Sequence, residues 1–139
     1  MSITTRTRLL LSAAAAALAL TCGAVETASA ADSVERATKL LEGKRLTVYI
    51  PNRKRTDSDI QHKIDFCPRG RVIIETTVGE GIPQRGRGRW RVESAQIRRG
   101  VGWANVRFDP GTDTARVVID RRGVRILGHR AQVSRSPRC

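Results

Sequence analysis

The sequence predicts a mainly β domain, an antiparallel up-and-down meander of seven to eight strands with one short helix before it. Three observations predict this fold. From residue 44 onward apolar and polar residues alternate, the alternating runs are short, and turn-forming residues separate them at near-even spacing. No helical pattern lies between the runs, so crossover connections are not expected. Closing the meander into a barrel removes its exposed edges, so we expect a barrel, with a two-sheet sandwich as the alternative.

Residues 1–30 have the organisation of a cleaved export signal. Arg6 and Arg8 form a basic start, and residues 9–20 are Leu and Ala apart from one serine. Residues 28–30, Ala-Ser-Ala, offer the small side chains that a signal peptidase requires. The apolar run is too short for a transmembrane helix, which needs about 20 residues. We therefore expect a signal peptide over 1–30 and a single domain over 31–139, secreted or periplasmic and without a transmembrane segment.

Cys22 raises the alternative of a lipid-anchored protein, because a cysteine follows the apolar run. The preceding residues 19–21, Ala-Leu-Thr, match the usual Leu-Ala-Gly type of lead-in poorly. If cleavage follows Ala30, Cys22 leaves with the signal.

The charge of the chain is strongly positive, with 26 Lys and Arg against 13 Asp and Glu and a net charge of +13. This balance suits an anionic partner such as nucleic acid, lipid headgroups, an anionic polysaccharide or an acidic protein. The alternative is a solvated cationic surface with no specific partner. The longest basic block is only Arg53–Arg55, so a disordered basic tail is not expected.

Two cysteines, Cys67 and Cys139, remain in the expected mature domain. In an oxidising compartment, an isolated pair in a small domain is usually a disulfide, and here it would tie the centre of the chain to its last residue. A thiol nucleophile or metal site has less support, since there is no Cys-x-x-Cys and no histidine near either cysteine. We expect a disulfide and no metal.

The single helical segment is predicted over residues 32–42. Asp32 or Ser33 can cap its start, and Gly43 can end it. Its apolar residues share one stripe and should cover an open end of the sheet. They are Val34, Ala37, Leu40 and Leu41.

The strands follow in order, each with its apolar residues on the inner face. Turns are predicted at 68–70, 109–112 and 120–123, where proline, glycine or aspartate cluster. Residues 79–88 are rich in glycine and are expected to form a mobile loop. Cys67 falls on the outward face of its strand, away from the core. The predicted strand segments are 44–50, 60–67, 72–78, 89–93, 103–108, 115–119, 124–126 and 131–133.

Four short motifs carry a resemblance to a known family. They are Leu-Glu-Gly-Lys-Arg-Leu at 41–46, Phe-Cys-Pro-Arg-Gly-Arg at 66–71, Gly-Arg-Trp-Arg-Val at 88–92, and Arg-Gly at 122–123 ahead of Leu-Gly-His-Arg at 127–130. In this order they resemble small exported bacterial lipocalin-like (calycin-type) β-barrel domains. The resemblance implies the fold, and it implies that the protein holds a small apolar ligand or plugs a partner's site, usually without catalysis. A barrel of about eight strands can also be filled by its own side chains.

Two groups of residues are candidates for binding. The first comprises Arg85, Arg87, Arg89 and Arg91, which recur every second residue and would line one face of an extended strand as an anion-binding surface. Its alternative is an outward, solvated strand. The second comprises the barrel-interior candidates Phe66, Trp90 and Phe108, of which Phe66 and Trp90 are expected near the mouth of the barrel.

Single-stranded nucleic acid is a weaker expectation among the anionic partners. A protein that binds it usually stacks bases on exposed aromatic side chains. Tyr49 and Trp103 are the only candidates for that role in this sequence.

A small secreted basic ribonuclease is the alternative function. His62 or His129 with Glu75 would supply general acid and base catalysis, but their spacing matches no motif. There is no Gly-x-Ser-x-Gly, and the glycines at 86–88 precede a strand rather than the helix of a nucleotide-binding fingerprint. We therefore expect a binding module with no cofactor and no catalytic residues.

Overall fold

The structure is a computed structural model that describes residues 29–52, 58–111 and 113–139. It divides the chain into two units, Met1–Asp32 and Ser33–Cys139. Most of the first unit, including Cys22 and nearly all of the predicted signal peptide, lies outside the described residues. The basic block at 53–55 lies outside them as well. Among the described residues, no helix is both long and apolar enough to cross a membrane.

Eight antiparallel strands form a closed up-and-down barrel in the second unit. Each strand pairs with the next one in the sequence, and the last strand pairs with the first. This confirms the predicted meander and its closure, and it rules out the sandwich. The strands are β1 (Lys44–Ile50), β2 (Ile60–Phe66), β3 (Arg71–Val78), β4 (Gln84–Arg98), β5 (Val101–Asp109), β6 (Thr114–Asp120), β7 (Gly123–Ile126) and β8 (His129–Arg135).

The core lies inside the barrel because each strand alternates its side chains between the two faces of the wall. Directly opposed residues share a face, so the register places Leu46, Ile64 and Ile74 side by side on the inner wall. Strands on the far side contribute Val106, Val117 and Ile126 to the same cluster, and all three are fully buried.

The helix, α1, occupies residues 29–41 of the described chain, so the predicted start at Asp32 with a cap at Asp32 or Ser33 is wrong. The Ser33 hydroxyl instead accepts a hydrogen bond of 3.3 Å from the backbone N–H of Ile97, near the end of β4. Ala37 and Leu41 enter the core, whereas Leu40 is 41% exposed and does not belong to the buried stripe. From Ser33 onward, within the second unit, α1 packs Ala37 and Leu41 against the barrel core, which is the covering role that the sequence predicts.

The chain leaves α1 through Gly43, as the sequence predicts. Its φ of +76° is a left-handed conformation that glycine adopts without a steric penalty. The Gly43 N–H donates to the carbonyl oxygen of Phe66 at 2.6 Å, which joins the helix exit to the end of β2.

The expected loop at 79–88 is wrong from residue 84 onward, because β4 begins at Gln84 and runs for 15 residues. Residues 79–83 form the connection between β3 and β4. Gly86 pairs with Ile74 and Gly88 pairs with Val72, so both glycines belong to the ladder with β3. Backbone hydrogen bonds need no side chain, and the period-two recurrence of arginine was the better indicator of structure here.

Two further details depart from the predicted inner face. Val78, the last residue of β3, is 51% exposed rather than buried. A bulge between Val92 and Ser94 shifts the register of β4 against β5, after which Ile97 faces the core at 2% exposure.

The two inward-facing glycines of β4 should tolerate a side chain very differently. A Cβ at Gly88 would lie 2.1 Å from the carbonyl oxygen of Asp109, whereas a Cβ at Gly86 would meet only the Ile74 oxygen, at 4.0 Å. Gly88→Ala is therefore expected to lower the free energy of unfolding by about 1–3 kcal/mol, because backbone must move. Gly86→Ala should leave it unchanged or raise it by up to about 1 kcal/mol. Urea unfolding of the two variants tests this, and equal losses would contradict it.

Candidate functional site

The aromatic residues predicted for the barrel interior come together there. Phe66 is fully buried, and its ring meets Trp90 edge to face, with centroids 5.1 Å apart and an angle of 83° between the ring planes. The ring of Phe108 lies 6.1 Å from that of Phe66. The Trp90 indole N–H donates to the Cys67 carbonyl oxygen at 3.0 Å, which satisfies its buried polar group. Phe66 and Trp90 thus belong to the packed core.

The barrel is open at the end opposite α1, where a cavity of about 400 Å³ enters the interior. The β5–β6 and β7–β8 turns border it, so this is the mouth of the barrel. Phe108 is the one predicted interior aromatic that lines it; Phe66 and Trp90, expected near the mouth, do not. The apolar lining comes from Ile64, Ile74, Phe108, Ala115, Ile126 and Leu127, and the polar lining from His62, Thr76, Asp113 and Thr114.

One hydrogen-bonded pair gives the apolar lining a polar feature. His62 and Thr76 lie opposite each other on β2 and β3, with 2.9 Å between the imidazole Nδ1 and the Thr76 hydroxyl. Burial lowers the pKa of His62 below its ordinary value, so the imidazole is neutral at pH 7. A neutral imidazole and a hydroxyl can donate or accept a hydrogen bond to the polar end of a bound molecule without placing a charge in the cavity.

No family model matches this chain. No curated protein and no solved structure matches it either. The architecture therefore stands on the strand pairing and closure described above. Among the described residues, no group of three or more His, Cys, Asp or Glu side chains is placed to hold a metal ion.

The four arginines of the predicted anion-binding strand all lie on the outer wall and are exposed. The structure separates them into two kinds. Arg85 lies 3.2 Å from a Glu75 oxygen and Arg91 lies 3.6 Å from a Glu93 oxygen, so both are paired. Arg87 and Arg89 have no ion-pair partner within the described residues.

The residues of the ribonuclease alternative are not brought together. His62 faces the cavity, whereas Glu75 lies on the outer face of the barrel wall opposite Lys63. Hydrogen bonds from Arg138 and Arg85 lower the pKa of Glu75 to about 2, although burial acts in the other direction. A carboxylate with that pKa keeps no proton to donate near neutral pH. His129 begins β8 and does not line the cavity.

The two aromatic side chains considered for base stacking are partly engaged. Tyr49 is exposed, and its hydroxyl hydrogen-bonds to Asp59. The guanidinium of Arg116 lies 4.5 Å from the centroid of the Trp103 ring and covers one of its faces.

The last four residues, 136–139, form a segment over the outer wall that we call the C-terminal strap. The predicted disulfide is present between Cys67 and Cys139, and it fastens the strap to the end of β2. Cys67 lies outside the apolar cluster, yet it is only 1% exposed, so its outward position does not leave it in solvent. The Ser136 N–H donates to the Gly43 carbonyl oxygen at 2.9 Å, which holds the other end of the strap.

The strap covers a buried acid that no sequence pattern indicated. Asp65 is fully buried although it points outward from β2. Arg45 donates to its two carboxylate oxygens at 2.7 and 2.8 Å, and the Ser136 hydroxyl donates at 2.8 Å. Burial alone would raise the pKa of Asp65, but the hydrogen bonds from Arg45 and Ser136 outweigh it and hold that pKa below its usual value.

Proposed function

We propose that this protein is an exported, non-enzymatic binding module of lipocalin-like fold that holds a small apolar molecule in the mouth of its barrel. The observation that carries the proposal is the cavity of about 400 Å³ at the open end. Binding sites for small molecules are typically concave, mostly apolar and about 300–1,000 Å³ in volume. The mouth cavity matches this description.

The lining indicates the class of ligand. Six apolar side chains contribute to the wall, and the imidazole of His62 is neutral at pH 7. A neutral molecule with an apolar body and one polar end would bury its body against the wall and place its polar end near His62 and Thr76. A strongly anionic ligand would find no cationic side chain in the lining.

Other features support the export and the absence of catalysis in this proposal. The Cys67–Cys139 disulfide is compatible with an oxidising compartment outside the cytoplasm. His62 and Glu75, the pair that catalysis would require, lie on opposite faces of the barrel wall. The closed eight-strand barrel is compatible with the lipocalin-like resemblance in the sequence.

Filling the cavity should weaken the binding of a neutral apolar probe. Thr76 and Thr77 are neighbours on β3, but Thr76 lines the cavity and Thr77 lies on the outer face opposite Gln61. Thr76→Phe places a ring in the cavity, so we expect it to weaken binding at least about tenfold, a change of about 1.4 kcal/mol. Thr77→Phe adds the same ring outside and should bind as the wild type does. Fluorescence titration with N-phenyl-1-naphthylamine measures both affinities.

Thr76→Phe also removes the hydrogen bond between Thr76 and His62, so a second variant is needed that fills the cavity and keeps this bond. Ala115→Leu fills the same cavity from β6 and leaves that hydrogen bond in place. It should weaken binding as well. Unchanged affinity in both cavity variants, in folded protein, would show that the probe binds elsewhere and that the mouth is not the site.

A further inference from the structure

A second concave site lies on the outer wall beside the disulfide. It is a cleft of about 230 Å³, smaller than the mouth cavity and on the other face of the barrel wall. Three arginines from β3, β4 and the C-terminal strap line it, and apolar and backbone groups form the rest. The lining residues are Cys67, Arg71, Val72, Ile73, Arg87, Gly88 and Arg138.

The arginines around this cleft are poorly compensated. Arg71 lies directly opposite Arg89 across β3 and β4, and Arg87 is the next outward residue of β4. Like charges directly opposite in a sheet are destabilising. Within the described chain, the side chains of Arg71, Arg87 and Arg89 have no ion-pair or hydrogen-bond partner.

The third arginine of the lining, Arg138, comes from the strap, and one side of its guanidinium is already hydrogen-bonded. Arg138 donates from Nη2 to a Glu75 oxygen at 2.8 Å. Its Nη1 is buried and has no hydrogen-bond partner among the described residues. A buried donor without an acceptor costs about 1–3 kcal/mol, so a ligand oxygen that accepts a hydrogen bond from this Nη1 would remove that cost.

The acidic side chains near the cleft already form ion pairs. Glu75 is shared among Lys63 at 3.6 Å, Arg85 at 3.2 Å and Arg138 at 2.8 Å. Asp109, which is opposite Arg89 in the register, lies 3.4 Å from Arg107. The cleft therefore carries a net positive charge that its own neighbours do not neutralise.

We propose that this cleft binds a tetrahedral oxoanion, a phosphate or sulfate group, either free or carried on a polyanionic chain. Guanidinium groups match the oxygens of such anions with paired N–H donors. The volume suits one such group. The disulfide and the Glu75 contact fix Arg138 before any anion arrives, so little side-chain entropy is lost at that position on binding.

The test is isothermal titration calorimetry on the intact disulfide-bonded protein, with inorganic phosphate or sulfate against chloride at constant ionic strength. Arg87→Gln and Arg71→Gln each remove charge-assisted hydrogen bonds to the anion. We expect each to weaken binding about 10-fold to 100-fold. Arg71→Gln also relieves repulsion from Arg89 directly opposite, and Arg87 is exposed on the outer wall, so both variants should fold.

The matched control is Arg91→Gln. Arg91 lies on the same strand and the same exposed face, but it is paired with Glu93 and does not line the cleft. It should bind the anion as the wild type does. Equal weakening in all three variants would show general attraction to positive charge and would overturn the site.

A heparin oligosaccharide, titrated under the same conditions, distinguishes the two sources of the anion. Saturable binding of inorganic phosphate or sulfate that depends on Arg87 identifies a site for the free ion. Binding of the oligosaccharide alone, with the same dependence on Arg87 and independence of Arg91, identifies a site for a group on a chain. If neither probe binds, the proposal is wrong. These outcomes are independent of the mouth cavity, whose lining shares no residue with the cleft.

Discussion

Replacing both Cys67 and Cys139 by alanine is expected to lower the free energy of unfolding by about 4 kcal/mol. The bond joins residues 72 positions apart, and in the chain-entropy view a loop of that length greatly restricts the unfolded chain. The substitution also releases the C-terminal strap, which covers Asp65 on the outer wall. Urea unfolding of the double variant beside the oxidised wild type measures the difference.

The reduced wild type provides the control for the alanine substitutions. It keeps both side chains and lacks only the bond, so its stability should fall close to that of the double variant. A loss below about 1 kcal/mol in both proteins would contradict this role of the disulfide, since typical values are about 2–4 kcal/mol.

Asp65→Ala is expected to cost about 3–5 kcal/mol, the range for removing one partner of a buried ion pair. Asp65 is fully buried and Arg45 is 14% exposed, so the variant leaves a largely buried guanidinium without its acceptor. The Ser136 hydroxyl loses its acceptor as well.

Glu93→Ala is the matched control, because Glu93 pairs with Arg91 and Arg107 on the exposed wall. It should cost no more than about 1 kcal/mol. Equal losses, measured by urea unfolding, would contradict the role of the buried pair.

Acid should reveal the same contribution of Asp65 without a mutation. Its pKa is lowered in the folded protein, so the stability it confers is complete above the ordinary aspartate pKa of about 3.9. That stability is lost as the pH falls through the lower folded pKa. The wild type and Asp65→Ala should therefore converge in stability as the pH is lowered. Curves that stay parallel would show that the ionised carboxylate is not what stabilises the fold.

The architecture could be predicted because strand periodicity and turn chemistry are local properties of the chain. Alternation along β1 and β2 and the turn at 68–70 need no knowledge of distant residues. The error at 84–88 arose where two local rules conflict. Glycine is typical of loops, but Gly88 lies inside a strand. There the backbone of Asp109 approaches so closely that no side chain fits.

The sites were harder to predict because they depend on distant parts of the chain. Alternation places Phe66, Trp90 and Phe108 inside the barrel, but it does not tell how far each lies from the open end. The lining of the mouth therefore included Phe108 and not the other two. For the arginine strand, spacing gave the correct outward face, but it did not reveal that Glu75 and Glu93 pair with two of the four.

For the C-terminal strap, the sequence predicted where the tail attaches but not which residues it covers. The pairing of Cys67 with Cys139 implied that the tail returns to the end of β2. Nothing local to Asp65 indicated that this return would bury it, and nothing local to Arg138 indicated that it would join Arg71 and Arg87 around one cleft.

The central claim is that a neutral apolar molecule binds in the barrel mouth, and amide chemical-shift mapping tests it most directly. The ¹⁵N-labelled protein would be titrated with N-phenyl-1-naphthylamine, and the changes followed residue by residue. We predict saturable shifts that cluster at the cavity lining, at His62, Thr76, Phe108, Ala115 and Leu127, with none at Ala37 and Leu41 under the helix. Shifts that instead centre on the helix end or the outer wall, or that never saturate, would contradict the claim.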